Sequence, residues 1–255
     1  MRARLDAILP PLIFGLGALI VWEAVVRVFG VPAVILPAPT AIAHRLVTSV
    51  PTLSADFVQT MRGVIAGYLI GNAAGLALAI LIDRSPFLQR GLLPLGNLVS
   101  ALPIIGVAPI MVMWFGFDWQ SKAAVVVIMT FFPMLVSAAA GLRSAGAMER
   151  DLMKTYAANY AQTLMKLRLQ AALPFVFNAL KINTTLAMIG AIVAEFFGTP
   201  TVGMGFRIST EVGHLSIDMV WATIVVAAVT GSLFYGLVAV IERRATFWHA
   251  SYRAK

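Results

Sequence analysis

Residues 219–241 read MVWATIVVAAVTGSLFYGLVAVI, with no Asp, Glu, Lys or Arg. A helix rises ~1.5 Å per residue, and the hydrocarbon core of a bilayer is ~30 Å thick, so about 20 apolar residues suffice to cross it. A helix on the surface of a soluble protein needs a polar face, and this stretch has none. It reads as a membrane span. Similar uncharged runs lie at 7–22, 63–82, 91–117 and 123–142, and a shorter one at 182–194 is bounded by Lys181 and Glu195. The Lys181 ammonium can reach the interface if the residue sits at a helix end. The predicted spans are 8–29, 60–82, 92–115, 122–142, 177–197 and 219–241. The fold class is an all-α integral membrane protein of six transmembrane helices, with residues 1–255 forming one transmembrane domain.

Composition agrees. Of 255 residues, 60% are hydrophobic and 12% charged, with a mean hydropathy of +0.89. Soluble domains carry about 25% charged residues, so a soluble enzyme or nucleic-acid-binding domain is excluded, as is disorder. The net charge of +8 is open to two readings, a nucleic-acid partner or the excess of Lys and Arg on the cytoplasmic side of membrane proteins. With the N-terminus in the cytoplasm, the inner side holds Arg2, Arg4, Arg84, Arg90, Arg143, Arg150, Lys154, Lys166, Arg168, Lys181, Arg243, Arg244, Arg253 and Lys255. The outer side holds only Arg27, Arg45, Arg62, Lys122 and Arg207. The bias places both termini in the cytoplasm, as an even helix count requires. Trp114, Trp119 and Trp221 then fall near the outer interface. The basic, apolar N-terminus has the look of a signal peptide, but the run continues through Trp22-Glu23-Ala24 without a small-x-small cleavage site, so an uncleaved first helix is expected.

Several segments carry special patterns. Residues 30–56 form an outer loop in which Pro32, Pro37, Pro39 and Pro51 prevent a long helix, with a short interfacial helix allowed at 40–49. Gly63, Gly67, Gly71 and Gly75 recur every four residues, on one ridge of the second span, where another backbone can approach closely. In the third span Pro94, Pro103 and Pro109 each remove a backbone donor. The freed carbonyls need burial or a wet cavity, and Pro103 and Pro109 are candidates to line a transport pathway. The inner loop 143–174 is polar and basic. Leu152, Tyr156, Tyr160 and Leu164 recur every four residues and predict one apolar helical stripe, with Asp151 near the helix N-terminus. Such a helix can lie on the membrane or fit a groove on a partner.

Catalytic signatures are missing. There is no Gly-Lys dipeptide and hence no usual phosphate-binding loop, no His-Glu-x-x-His and no Gly-x-Ser-x-Gly. The chain has no Cys, and His44, His214 and His249 are far apart, so neither a cofactor nor a metal site is expected. Glu23 and Glu195 lie at span edges and are each expected to pair with an Arg or a backbone donor. Asn183 and Thr184 are candidates to contact either a substrate in the pathway or a neighbouring helix.

Residues 151–174, Asp-Leu-Met-Lys-Thr-Tyr-Ala-Ala-Asn-Tyr-Ala-Gln-Thr-Leu-Met-Lys-Leu-Arg-Leu-Gln-Ala-Ala-Leu-Pro, resemble the signature loop of importer permeases of the ATP-binding cassette class. That signature is Glu-Ala-Ala, then Gly four residues later, then Leu-Pro. Here Asp151, Leu152 and Met153 take the Glu-Ala-Ala positions, Ala157 replaces the Gly, and Leu173-Pro174 closes the frame. The resemblance extends to Leu36-Pro37-Ala38-Pro39-Thr40, Leu102 to Pro109, Trp114 to Phe117, Phe131-Phe132-Pro133, Ala194 to Gly198 and Gly203-Met204-Gly205. These are similar to the nitrate/sulfonate/taurine permease group, which includes permeases for thiamine-precursor pyrimidines and riboflavin.

The resemblance implies a non-catalytic permease subunit in the bacterial inner membrane, in a homodimer served by two cytoplasmic ATPase subunits and an extracytoplasmic solute-binding protein. ATP and Mg would be bound by the ATPase. Asp151, Leu152, Tyr156, Ala157, Ala158, Tyr160 and Leu164 would form a coupling helix, between the fourth and fifth spans, that docks into it. The alternatives are a self-sufficient secondary transporter or channel, which needs an ion relay or inverted repeats, and a membrane enzyme, which needs a reactive cluster.

Overall fold

The computed structural model describes residues 2–100, 102–198 and 201–247, without the side chains of residues 2–8, Pro86, Asn97 and Ser100. His249, Arg253 and Lys255, named above, lie outside the described residues. All regular structure described is helical: α1 Arg2–Val28, α2 Pro39–Thr48, α3 Val50–Asp83, α4 Pro86–Ser100, α5 Ile104–Phe115, α6 Trp119–Arg143, α7 Ala147–Thr155, α8 Tyr160–Thr163, α9 Leu169–Phe197, α10 Met204–Gly213 and α11 Ile217–Ala245. A π turn, Leu164–Arg168, joins α8 to α9.

Among the described residues five helices are long and apolar enough to cross a membrane: Leu9–Val28, Val50–Asp83, Trp119–Arg143, the continuous stretch Tyr160–Phe197, and Ile217–Ala245. The predicted third span, 92–115, is not one helix. It divides into α4 and α5, and Pro103 caps α5 with extended backbone, ψ 117°. The Pro103 ring disfavours helical backbone in the residue before it, which explains the break at Leu102. Pro94 and Pro109 stay inside their helices. Two further expectations need correction. The helix that carries the second span, α3, begins at Val50 rather than 60, because Pro51 sits in its first turn, where its missing N–H has no partner to lose. The helix that carries the fifth, α9, begins at Leu169 rather than 177. Lys181 therefore lies in the interior of α9, not at its end.

The glycine ridge sets the central packing. A Cβ on Gly63 would lie 2.8 Å from Lys122 Cβ, one on Gly67 2.5 Å from Val126 Cβ, and one on Gly75 3.0 Å from Met134 Cβ. Partner numbers rise together, so α3 and α6 run parallel with their backbones in close approach. In lipid, helices gain little from hydrophobic burial against each other, and small residues that permit such contact drive association. α9 runs opposite to both: Thr60 meets Glu195 and Asn72 meets Asn183 on α3, while Gly141 meets Ala172 on α6. α11 runs opposite to α9, joined by Lys181–Glu242 at 2.7 Å. Of four apolar cores among the described residues, two fill the space between these helices. One, around Ala79, Ile82, Met134, Leu135, Leu142 and Ala172, lies at the end where the 143–168 loop emerges. The other, around Val64, Tyr68, Val126, Ala187, Met188 and Met204, lies toward the opposite end.

Candidate functional site

The 143–168 loop is built in two unlike halves. α7 buries no residue. Leu152 is 54% exposed and Tyr156 75%, so an apolar face projects from the bundle. Tyr156 caps the helix, and Ala157 follows at φ +52°. That is the left-handed region, where a side chain costs about 1–2 kcal/mol and glycine costs little. The turn is thus adopted even with Ala in place of Gly, and the Ala158 N–H closes it onto the Met153 carbonyl at 3.0 Å. Asn159 then starts α8 with a reciprocal bond to Gln162, a capping box.

This geometry corrects two expectations. Leu152, Tyr156, Tyr160 and Leu164 do not form one stripe, because the Ala157 turn separates the first pair from the second. Leu152 and Tyr156 face outward, whereas Tyr160 bonds Asp83 of α3 at 3.1 Å and Leu164 packs on the core. Asp151 is the fifth residue of α7 rather than one of its first turn. It pairs with Lys154 at 2.8 Å, and that bond, with the charge behind it, holds its carboxyl below the usual value.

At the opposite end of the bundle a buried polar cluster fastens the link between α9 and α10. Asp56 accepts from the Gly203 N–H at 2.9 Å and from Arg207 Nε at 2.8 Å. Thr60 accepts from the Met204 N–H at 2.9 Å and donates to Glu195 at 2.8 Å, while Glu195 also accepts from the Gly205 N–H at 2.7 Å. Lys122, 2% exposed, donates to the carbonyls of Phe117, at 2.6 Å, and Gly198. Gly203 has φ +148°, and a Cβ there would lie 2.7 Å from Glu195 Cδ, so both backbone and space require glycine. Glu195 thus takes a backbone donor, as expected, and Glu23 takes Arg27 at 2.5 Å and the Thr40 N–H at 3.1 Å.

Asp56, Thr60, Lys122 and Arg207 were not anticipated as a group. A signal was present for two of them: Asp56 and Thr60 are one turn apart on the face that continues into the glycine ridge.

The pathway candidates are dispersed. Asn183 is fully buried and donates to Asn72 Oδ1 at 2.5 Å and to the Thr130 carbonyl at 2.8 Å. Thr184 is buried and donates to the Lys181 carbonyl within its own helix. Pro103 is exposed at the α4–α5 break and Pro109 half-buried. An apolar groove of about 640 Å³ runs between α9, α10 and α11, lined by Thr185, Met188, Ile192, Ile208, Ala227 and Tyr235 among others. Among the described residues no group of three or more His, Asp and Glu side chains is placed to hold a metal.

Residues 63–247 match the family described as the binding-protein-dependent transport system inner membrane component. The chain belongs to this family. It is a multi-pass inner-membrane permease of the ATP-binding cassette class. Its relatives include a probable ABC transporter permease protein of Haemophilus influenzae, 31% identical over 89% of this chain and 91% of that one. The formylaminopyrimidine transport permease protein of Halalkalibacterium halodurans is 30% identical over 94% of this chain and 96% of its own. A putative aliphatic sulfonates transport permease protein of Bacillus subtilis is 28% identical over 91% of this chain and 84% of its own. The matched region spans the glycine ridge, the 143–168 loop and the part of the polar cluster formed by Lys122, Glu195 and Gly203 to Arg207, while Asp56 and Thr60 precede it.

Proposed function

We propose that this permease is the non-catalytic membrane subunit of an ATP-driven importer. Its solute is a small organic or anionic molecule, of the pyrimidine thiamine-precursor, riboflavin, sulfonate or nitrate type. The carrying observation is the exposed α7 face, Leu152 and Tyr156, ended by the left-handed turn at Ala157. An apolar helix face left uncovered by the described residues suits a groove on a partner, here a cytoplasmic ATPase that binds ATP and Mg. Two such ATPases, a second copy of this chain and an extracytoplasmic solute-binding protein complete the transporter.

Six crossings are supported by the parallel course of α3 and α6. Two consecutive long helices that run the same way need a return between them. α4 and α5, of 15 and 12 residues, reach ~22 Å and ~18 Å as helices, each short of a bilayer but together sufficient. An even count puts both termini on one side of the membrane, and the Lys and Arg bias favours the cytoplasm for it.

Capture experiments with the tagged permease test the docking assignment. Tyr156→Asp or Ala157→Arg should weaken ATPase association while membrane insertion is unchanged; undiminished association would sink it. Solute uptake by liposomes that contain the permease without any ATPase would refute the importer reading in favour of a self-sufficient transporter.

A further inference from the structure

The docking loop has a free half and a fixed half, and one carboxylate takes part in two of the bonds that fix it. α7 buries no residue, and its side-chain bonds, Lys154 to Asp151 and Thr155 to the Leu152 carbonyl, are internal. Beyond the Ala157 turn the chain is gripped. Asp83, the last residue of α3, keeps only 5% of its side chain exposed and pairs with Arg168. It also accepts from the Tyr160 hydroxyl at 3.1 Å. Arg84 lies 4.9 Å from the centre of the Tyr160 ring, within range of a cation–π contact. Tyr160 and Arg168 lie at the two ends of the α8–π-turn segment, so Asp83 clasps the whole segment to the end of α3. The π turn between them closes with the Leu169 N–H on the Leu164 carbonyl, an arrangement often found at functional sites. α3 in turn carries the glycine ridge against α6 and, at its far end, Asp56 and Thr60 of the polar cluster.

We propose that Asp83 is the positioning residue through which displacement of the docking loop reaches α3, and with it the cluster at the opposite end of the bundle. The proposal rests on the docking role given to the loop above. A push on Leu152 and Tyr156 moves α7 as a lever about the Ala157 turn. The Tyr160–Asp83–Arg168 clasp converts that movement into a pull on α3. Without the carboxylate the loop still presents its docking face and stays continuous with α6 and α9, but its motion no longer reaches α3 through the clasp.

Amide hydrogen exchange in the complete complex with its ATPase, with and without Mg·ATP plus vanadate, tests this without knowledge of the solute. In the wild type, ATPase association slows exchange across residues 147–163, and vanadate trapping changes exchange in residues 77–84 at the end of α3. In Asp83→Asn the protection of 147–163 persists and the complex still hydrolyses ATP, while the response of 77–84 falls about tenfold, as expected for loss of a charge-assisted bond. Tyr160→Phe, which keeps the Arg168 pair and fills the same space, gives a smaller loss of the same response. A merely structural role would lower loop protection and α3 response together. If 77–84 respond in both variants as in the wild type, the proposal is overturned. If the ATPase gives no protection at 147–163 even in the wild type, the docking reading fails first, and the proposal with it.

Discussion

Gly67→Ala should destabilise the helix bundle more than its single methyl group suggests. The new Cβ would lie 2.5 Å from Val126 Cβ and 2.6 Å from the Ala123 carbonyl oxygen. Unstrained contacts between such atoms are about 3.5–4.0 Å. Both obstacles belong to the backbone or first side-chain atom of α6, so neither can turn aside, and α3 and α6 must part by ~1 Å around the site. A radial gap of this size forfeits roughly a quarter to a half of each affected contact. Overpacking of a tight interior costs about 1–3 kcal/mol. The usual preference of helices for Ala over Gly offsets little, because helices in lipid keep their internal hydrogen bonds even when apart. The separation also strains the buried bond from Asn183 to the Thr130 carbonyl. Thermal unfolding of the detergent-solubilised protein measures the effect, with about 2–4 °C of midpoint expected per kcal/mol for a chain of this size. Gly213→Ala is the control, since a Cβ there would meet nothing within 4 Å. Equal midpoints for the two variants, or a gain for Gly67→Ala, would refute the close-packing argument.

Ala157→Gly should relieve left-handed strain of about 1–2 kcal/mol while increasing unfolded-chain freedom by about 0.4–1 kcal/mol. The expected net gain is read as slower exchange of the Ala158 amide with undiminished ATPase capture; Ala157→Val should do the reverse. Lys122→Met removes the buried cation that donates to the Phe117 and Gly198 carbonyls beside Glu195, and each buried acceptor left without a partner costs about 1–3 kcal/mol. Adding Glu195→Gln should recover part of that loss in a double-mutant cycle, and strict additivity would show that the two groups are not coupled. Asp118, which caps α6, is held below its ordinary value of about 3.8 by the Gln59 amide and then by the Trp119 N–H. Its contribution is present in full above that ordinary value and is lost as pH falls through the depressed one. Asp118→Asn should therefore flatten the acid limb of a stability profile, and an unchanged limb would contradict this.

Much of the fold was legible because its causes are local. A lipid environment demands long uncharged runs, and those at 63–82, 123–142 and 219–241 lie within α3, α6 and α11, with α3 starting thirteen residues earlier and the other ends displaced by one to four. Four glycines at a period of four marked the ridge of α3 in advance, since small residues at that spacing have few other uses. The loop signature was readable from its frame of Leu-Pro and spaced alanines, even with Ala157 where glycine is usual.

What was not legible depended on partners distant in sequence. The period-four pattern of Leu152, Tyr156, Tyr160 and Leu164 suits one helix. The left-handed turn at Ala157 breaks it, and the clasp of Tyr160 and Arg168 on Asp83 holds the second half against α3. Asp56 and Lys122 look like ordinary charges beside spans until the link between α9 and α10 brings Gly198, Gly203 and Arg207 onto them. By itself the sequence determined a membrane protein, its runs, its charge bias and the polar, basic character of the 143–174 loop, because hydrophobicity and helix period act within one segment. Only the tertiary structure decided that α3 and α6 run parallel, that α4 and α5 break at Pro103, and that Asp83 holds the loop. Each of these is a contact between segments whose direction and depth the chain fixes only when packed.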